Sequence, residues 1–225
     1  MQRKLVWDLP VRLFHWALVL LLGASWGSAE LGRMELHHYS GYAVTTLLLF
    51  RLAWGIAGPR YARFAGFLAG PRRVFRYLRA LAAGAGPPTA GHTPAGGWMI
   101  LLLLALLAAQ VATGMVNSHD GLDAGPWYWA ASSAVREFAH AWHPRLFDLV
   151  LVFSAVHVLA VLAYRLWPGI DLVGPMFTGR KHTAEPGIPG SRLPLAIALL
   201  LAVAAAVWLF VRAAPAPGLA DLGIY

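Results

Sequence analysis

Five long apolar segments dominate the sequence and restrict the chain to one class of protein. They run over Val11–Ala29, Leu36–Gly55, Trp98–Val116, His143–Leu166 and Leu193–Val211. A helix that crosses the hydrocarbon core of a bilayer needs about 20 mostly apolar residues. Hydrophobic residues make up 59% of the 225 residues and charged residues only 12%, which is more apolar surface than a soluble fold of this size can bury. The sequence therefore predicts an all-α integral membrane protein with lipid around five transmembrane helices.

The basic residues predict the orientation, because Lys and Arg concentrate in loops that face the cytoplasm. With the N-terminus inside, fourteen of the 18 Lys and Arg lie on the cytoplasmic side and four lie outside. The C-terminus is then periplasmic. Topology explains the net charge of +8, so the charge does not indicate a nucleic-acid partner. The first apolar segment ends in SWGSAE, which resembles a signal-peptide cleavage region. However, Arg12 and His15 interrupt its apolar run, and we expect the segment to be retained as a transmembrane helix.

The chain contains no cysteine. This excludes disulfides, thiolate iron–sulfur clusters, cysteine-based zinc sites and covalently attached haem c. If a metal is bound, its ligands are expected among the nine histidines.

Four histidines lie in or at the edges of the apolar segments, where polar groups are costly and often functional. His143 and His157 are 14 residues apart, which is 3.9 helical turns and about 21 Å of rise. They therefore share one helix face and lie towards opposite sides of the membrane. The topology places His157 at the inner level with His15, and His143 at the outer level with His37. Two bis-histidine pairs stacked in a helix bundle are the arrangement that two b-type haems require.

Two further residues of the second segment have the right positions to contact haem. Gly41, one turn after His37, would let a porphyrin approach the backbone, or it serves helix packing. Arg51, 14 residues after His37, could pair with a propionate of an inner haem, or it marks the membrane edge by snorkelling.

Three other histidines are alternative candidates for ligation or quinone contact. His38 is adjacent to His37 and lies at the same depth. His140 competes with His143, but it lies 17 residues before His157, which is 4.7 turns and a poorer match of phase. His92, before the third segment, either touches a quinone head group or makes a local loop contact.

Five stretches of the sequence have a familiar form. They are VWDLPVRLFHW, HHYSGYAVTTLLLFRLAWGIAGPRYARF, GHTPAGGWMILLLLALLAAQVATG, HPRLFDLVLVFSAVHVLAVL and FTGRK. In this order and spacing they resemble the bacterial cytochrome b561 family, which includes the b-type cytochrome subunits of nickel–iron hydrogenases. The likeness covers about residues 5–181. It leaves 182–225 as a linker, a fifth transmembrane helix and a short periplasmic tail.

The resemblance implies a four-helix transmembrane bundle with two non-covalent b haems in the bacterial cytoplasmic (inner) membrane. It implies electron exchange with quinone or quinol and with a periplasmic redox protein such as a c-type cytochrome, a hydrogenase or another oxidoreductase. We expect quinone to react at the inner haem and the protein partner at the outer haem. The family's histidine positions match His15, His37, His143 and His157, and the spacing to Gly-Tyr selects His37 over His38.

One departure concerns the start of the fourth helix. The family usually has an acidic residue after its first histidine, where this chain has Pro144. Proline is typical of a first helical turn, which predicts that the helix begins near His143 and keeps His140 as a reserve ligand.

Two other functions use the same membrane topology. A transporter for a transition metal or a proton would use the histidines as transient ligands or relays. It would also need acidic residues inside the bundle, for which Asp148 is the only good candidate. A haem-free membrane anchor would need no pairing of histidines.

Overall fold

The computed structural model describes residues 2–84, 89–119, 123–164 and 171–217. In chain order its elements are β1 (Gln2–Leu5), α1 (Leu9–Glu30), α2 (Met34–Ala57), α3 (Phe64–Phe67), α4 (Pro71–Ala82), α5 (Pro94–Met115), α6 (Ser133–Ala163), α7 (Gly174–Thr178), β2 (Arg180–Thr183) and α8 (Leu193–Arg212). Within these ranges α1, α2, α5, α6 and α8 are long and apolar enough to cross a membrane. The prediction of an all-α integral membrane protein with five transmembrane helices is confirmed.

Helix α2 lies at the centre of the packing. It contacts α1, α5 and α8, whereas α6 packs chiefly against α5. Among the five spanning helices α2 is also the most buried inside the protein, because it has neighbours on several sides. Side chains on α8, including Ala196 and Val207, are buried. The division of the chain at residue 181 stays a prediction, and β2 crosses that position.

The fourth spanning helix starts earlier than the sequence analysis predicts. Helix α6 begins at Ser133, ten residues before His143, and Pro144 lies inside it. A proline removes one hydrogen bond of the helical ladder, and in membrane helices nearby side chains can satisfy the carbonyls at such a break. The carbonyl that loses its ladder donor is that of His140, four residues before Pro144, and the guanidinium of Arg145 donates to the neighbouring carbonyl of Ala141 at 2.6 Å. The prediction that His143 caps the helix is therefore wrong, and the predicted end at Leu166 lies outside the described residues.

A small antiparallel sheet joins the two ends of the bundle domain. Strand β1 pairs with β2 so that Leu5 is opposite Arg180 and Gln2 is opposite Thr183. The amides of Val6 and Trp7 continue the contact by donating to the carbonyl of Gly179, at 2.8 and 3.0 Å. The described part of the segment before α8 contains α7 and β2. The sheet brings this segment against the start of α1, beside the inner site described below.

Candidate functional site

Two histidines predicted to lie at the outer level meet across the bundle. His37 on α2 and His143 on α6 have ring centroids 6.2 Å apart and an interplanar angle of 86°. Since α6 packs chiefly against α5, this pair connects two helices that otherwise have little contact. The structure therefore brings together the outer pair that the helical spacing predicts.

The side chain of His37 is oriented by α1. Its Nδ1 lies 2.9 Å from the carbonyl oxygen of Ser25 and 3.2 Å from the hydroxyl of the same residue. A carbonyl can only accept, so Nδ1 carries the proton and donates to it. The other ring nitrogen, Nε2, is then unprotonated and is the nitrogen available to a metal.

A matching contact from α5 orients His143. The hydroxyl of Thr113 lies 3.1 Å from Nδ1 of His143, and it also lies 2.9 Å from the carbonyl of Ala109. Because the single hydroxyl proton goes to the carbonyl, the oxygen accepts from the Nδ1–H of the histidine. Nε2 is again unprotonated, and the amide nitrogen of Gln110 donates to it at 3.2 Å.

The glycine beside Thr113 makes room for the same ring. A Cβ placed on Gly114 would lie 2.9 Å from Cε1 of His143, which is closer than real side chains approach. The position of the His143 ring therefore requires a residue without a side chain at 114. Neither Thr113 nor Gly114 was singled out by the sequence analysis, although both lie within the apolar stretch that ends in the string VATG.

The competing histidines have other surroundings. His38 stacks on Tyr42, with centroids 6.4 Å apart and an angle of 28°. His140 directs Nδ1 at the carbonyl of Ser118, 3.3 Å away in the outer loop. The close pair across the bundle is formed by His37 and His143, and His140 is directed away from it.

The predicted inner pair consists of His15 on α1 and His157 on α6. Nδ1 of His15 is buried and has no hydrogen-bond partner among the described residues. The ring of His15 packs edge-to-face against Trp16 at 4.8 Å. A buried polar atom without a partner is costly, so this nitrogen is a candidate for contact with a bound group.

Arg51 lies at the same inner level and is 3% exposed. Its guanidinium carbon is 4.8 Å from the centroid of the Phe64 ring, and its Nη1 has no hydrogen-bond partner in the described part of the chain. Gly55, one turn later, allows this packing, because a Cβ there would overlap the Phe64 ring. Arg51 is therefore buried with an unsatisfied donor, and it does not snorkel to the aqueous phase.

Asp8 is a buried carboxylate that the sequence analysis missed. Its Oδ1 accepts from the amide of Val11 and from Nε1 of Trp54, both at 3.0 Å, and Oδ2 has no partner among the described residues. Burial raises the pKa of Asp8, against the smaller opposing effects of these hydrogen bonds and of Arg51. An aspartate two residues before a proline is a typical helix N-cap, and that signal could have identified it.

His92 contacts aromatic rings that lie far from it in the sequence. Its ring lies 4.4 Å from Trp7 and 4.3 Å from Phe67. Burial, followed by the charges of Arg51 and Lys181, lowers the pKa of His92 to about 3. It is therefore a neutral imidazole at ordinary pH, enclosed between two aromatic rings, and its Nδ1 has no hydrogen-bond partner among the described residues.

No protein atom of the described residues packs against the Cα of Gly41 in the direction where a side chain would project. A Cβ built there would meet no protein atom within 4 Å, so close packing of a neighbouring helix is not what this glycine allows. Its carbonyl accepts from the hydroxyl of Thr45 at 2.8 Å.

The features that a transporter would need are weak. Asp148 on α6 is exposed on the protein surface, and the carboxylate is therefore not inside the bundle. Within the described ranges no group of three or more His, Cys, Asp or Glu side chains could hold a metal ion. His37 and His143 instead form a close pair.

Comparison with known proteins agrees with the resemblance seen in the sequence. The family model of prokaryotic cytochrome b561 matches residues 6–179, which include all four paired histidines. No curated protein and no solved structure gives a significant match to the chain.

Proposed function

The chain belongs to the prokaryotic cytochrome b561 family, and we propose that it holds two b haems and transfers electrons between quinone and a periplasmic redox protein. The coarser part of this function follows from the family, whose members are membrane b-type cytochromes of electron transfer. The proposed partner is a c-type cytochrome, a hydrogenase or another oxidoreductase. The proposed location is the bacterial inner membrane, with the N-terminus in the cytoplasm.

The observation that carries the proposal is the geometry of His37 and His143. A metal–imidazole bond is about 2 Å long, and the bonding nitrogen lies about 1 Å from the centre of its ring. Two imidazoles bound on opposite sides of one metal therefore have ring centroids about 6 Å apart. The observed centroid separation is 6.2 Å. Both rings also direct Nδ1 to the protein, which leaves Nε2 for the iron. The Gln110 amide, now 3.2 Å from Nε2 of His143, would turn away when haem binds.

The inner pair fits a second haem on different grounds. His15 on α1 and His157 on α6 lie at one level by the topology, and Nδ1 of His15 is buried without a hydrogen-bond partner among the described residues. Near them Arg51 has a buried guanidinium with an unsatisfied Nη1. The carboxylate of Asp8 is close enough to feel this charge, but no ion pair joins the two among the described residues, and a haem propionate is a carboxylate that would satisfy Nη1. We propose that His15 and His157 ligate the inner haem and that Arg51 holds a propionate.

Haem with two axial imidazoles supplies one-electron redox chemistry and has no open coordination position for oxygen. The contribution of the chain is to set distance and orientation. His143 and His157 are 14 residues apart on one helix, roughly 21 Å along its axis, so the two pairs lie towards opposite sides of the membrane. We propose that quinone exchanges electrons at the inner pair and that the periplasmic protein docks at the outer pair.

Single-histidine variants test the assignment of ligands. Purified His143→Ala and His157→Ala proteins are each expected to retain one haem per chain by the pyridine haemochrome assay. The haem that remains should differ between the two variants in its reduced spectrum. His182→Ala, at an exposed position on β2, is the control and should retain both. Retention of both haems in either ligand variant would contradict the assignment.

A further inference from the structure

The short helix α4 has three distinct sides. Its buried side faces the protein through Tyr77, which is 5% exposed. At 3.6 residues per turn, Arg72, Arg76 and Arg79 project from a second side, and all three are exposed. Phe75 and Leu78 lie on a third side, where they are 71% and 46% exposed. A helix with separate protein, cationic and apolar sides is typical of an interfacial position on a membrane.

Contacts with two spanning helices fix α4 at the boundary of the membrane. The hydroxyl of Tyr77 donates to that of Tyr164, 3.2 Å away at the C-terminal end of α6. Nε1 of Trp98, in the first turns of α5, donates to the carbonyl of Ala69 just before α4 at 2.7 Å. Helix α4 also packs directly against α5. It therefore lies beside the helix ends that emerge on one face of the bilayer.

The arginines of α4 have no ion-pair partner among the described residues. Residues 58–84 contain six arginines and no acidic residue. Among the described residues, the one ion pair joins Arg60 to Glu185 at 3.5 Å, and no carboxylate lies within ion-pair distance of an arginine of α4. The exposed arginines are thus free to bind an anionic surface.

We propose that α4 is an interfacial anchor that binds anionic phospholipid head groups through Arg72, Arg76 and Arg79, with Phe75 and Leu78 inserted among the acyl chains. An anionic lipid offers both a phosphate for the guanidinium groups and a hydrocarbon layer for the two apolar side chains. An acidic protein surface would match the arginines only. The leaflet, which is the cytoplasmic one, rests on the orientation in the proposed function, but the contact with lipid does not.

Spin labels can measure how α4 lies in the membrane. Because the chain has no cysteine, Leu78→Cys and Arg76→Cys each provide a single labelling site. Both proteins are placed in nanodiscs of phosphatidylglycerol and phosphatidylcholine, and collisions of the label with oxygen and with a water-soluble nickel chelate are compared. The label at 78 should favour oxygen and the label at 76 the nickel chelate. Equal preference for the nickel chelate at both positions would overturn the insertion.

Native mass spectrometry of the full chain can measure head-group selectivity. The triple variant Arg72→Gln, Arg76→Gln, Arg79→Gln is compared with Arg3→Gln, Arg33→Gln, Arg212→Gln, which removes the same charge from exposed positions elsewhere. The preference for phosphatidylglycerol over phosphatidylcholine should fall roughly tenfold or more in the first variant and stay in the second. It should also survive replacement of the three α4 arginines by lysine, since the attraction is electrostatic.

Three results would overturn the proposal. One is a lipid preference that is unchanged in the α4 variant, which would assign the cationic side to a protein partner. Another is an equal loss in both glutamine variants, and the third is displacement of the lipid by soluble glycerol phosphate, which would indicate a free-phosphate site. None of these readouts uses haem, so failure of the lipid proposal and failure of the electron-transfer proposal are distinguished by measuring haem content in the same samples.

Discussion

The imidazole rings of His37 and His143 lie 6.2 Å apart between centroids and are nearly perpendicular, at 86°. They come from α2 and α6, and each is oriented through Nδ1 by a different neighbouring helix. Ser25 on α1 accepts from the first ring and Thr113 on α5 accepts from the second. Helices α1, α2, α5 and α6 therefore all contribute to the placement of one pair of histidines.

Replacement of Thr113 by valine removes the acceptor for the Nδ1–H of His143 while keeping the shape of the side chain. We expect the midpoint potential of the outer haem to rise, because a hydrogen-bonded imidazole is more basic and stabilises ferric iron. If the lost hydrogen bond contributes about 1 kcal/mol, the midpoint potential of this one-electron couple should rise by on the order of 40 mV. Redox titration of the visible bands measures it. Thr46→Val, whose hydroxyl contacts only its own helix at Tyr42, is the control, and an equal shift there would refute the role of Thr113.

Loss of the buried charge at Arg51 should affect the inner haem alone. In Arg51→Gln the midpoint potential of that haem should decrease, because a nearby positive charge favours the reduced state. A charge within about 10 Å is worth roughly 1–2 kcal/mol at an effective dielectric constant of about 20, which is on the order of 50 mV. Arg63→Gln, at an exposed position, should change neither potential. An unaltered inner haem in Arg51→Gln would remove Arg51 from the propionate site.

Side chains added at Gly41 should interfere with haem and not with the protein. The position of its Cβ is free of protein atoms within 4 Å, so Gly41→Ala and Gly41→Leu are expected to keep the helical content seen by circular dichroism. Occupancy of the outer haem should fall in the order Gly, Ala, Leu, while the inner haem serves as the internal control. If the leucine variant binds both haems normally, the porphyrin does not approach this face of α2.

Acid should destabilise the protein through His92. The folded chain keeps this imidazole neutral down to a pKa of about 3, whereas the unfolded chain takes up the proton below about 6.5. Stability is therefore lost as the pH falls from about 6.5 towards 3, by about 2 kcal/mol at pH 5. The decrease in thermal midpoint between pH 7.5 and pH 5 should be smaller in His92→Gln than in the parent protein.

The exposed His182 provides the matched control for this effect. His182→Gln should lose as much stability on acidification as the parent protein. If the parent and His92→Gln respond equally to pH, the burial of His92 is not what makes the fold acid-sensitive.

The transmembrane helices and the depth of the histidines could be predicted because both depend on local sequence. Apolar length gives the spans, and the 14-residue spacing gives the two levels. The start of α6 could not be predicted in this way. Proline is typical of a helix start, yet α6 runs through Pro144 from Ser133, because a membrane helix tolerates a proline where its surroundings satisfy the freed backbone groups.

The contacts that build the inner site are between residues far apart in the sequence. Asp8 and Trp54 are 46 residues apart, and β1 pairs with β2 across almost the whole domain. Strands of only four residues with several charges carry no clear alternation of apolar and polar positions. The orientation of His37 and His143 by Ser25 and Thr113 likewise depends on how the helices are rotated against each other, which apolar segments alone do not define.

The central claim, two bis-histidine b haems in one chain, is tested most directly by optical spectroscopy of the purified membrane protein. A dithionite-reduced minus air-oxidised spectrum is recorded together with a pyridine haemochrome assay on protein expressed with sufficient haem. The account predicts sharp b-type bands and close to two haems per chain. A folded, haem-supplied protein with a featureless spectrum, or with a single haem that all four histidine variants remove, would contradict it.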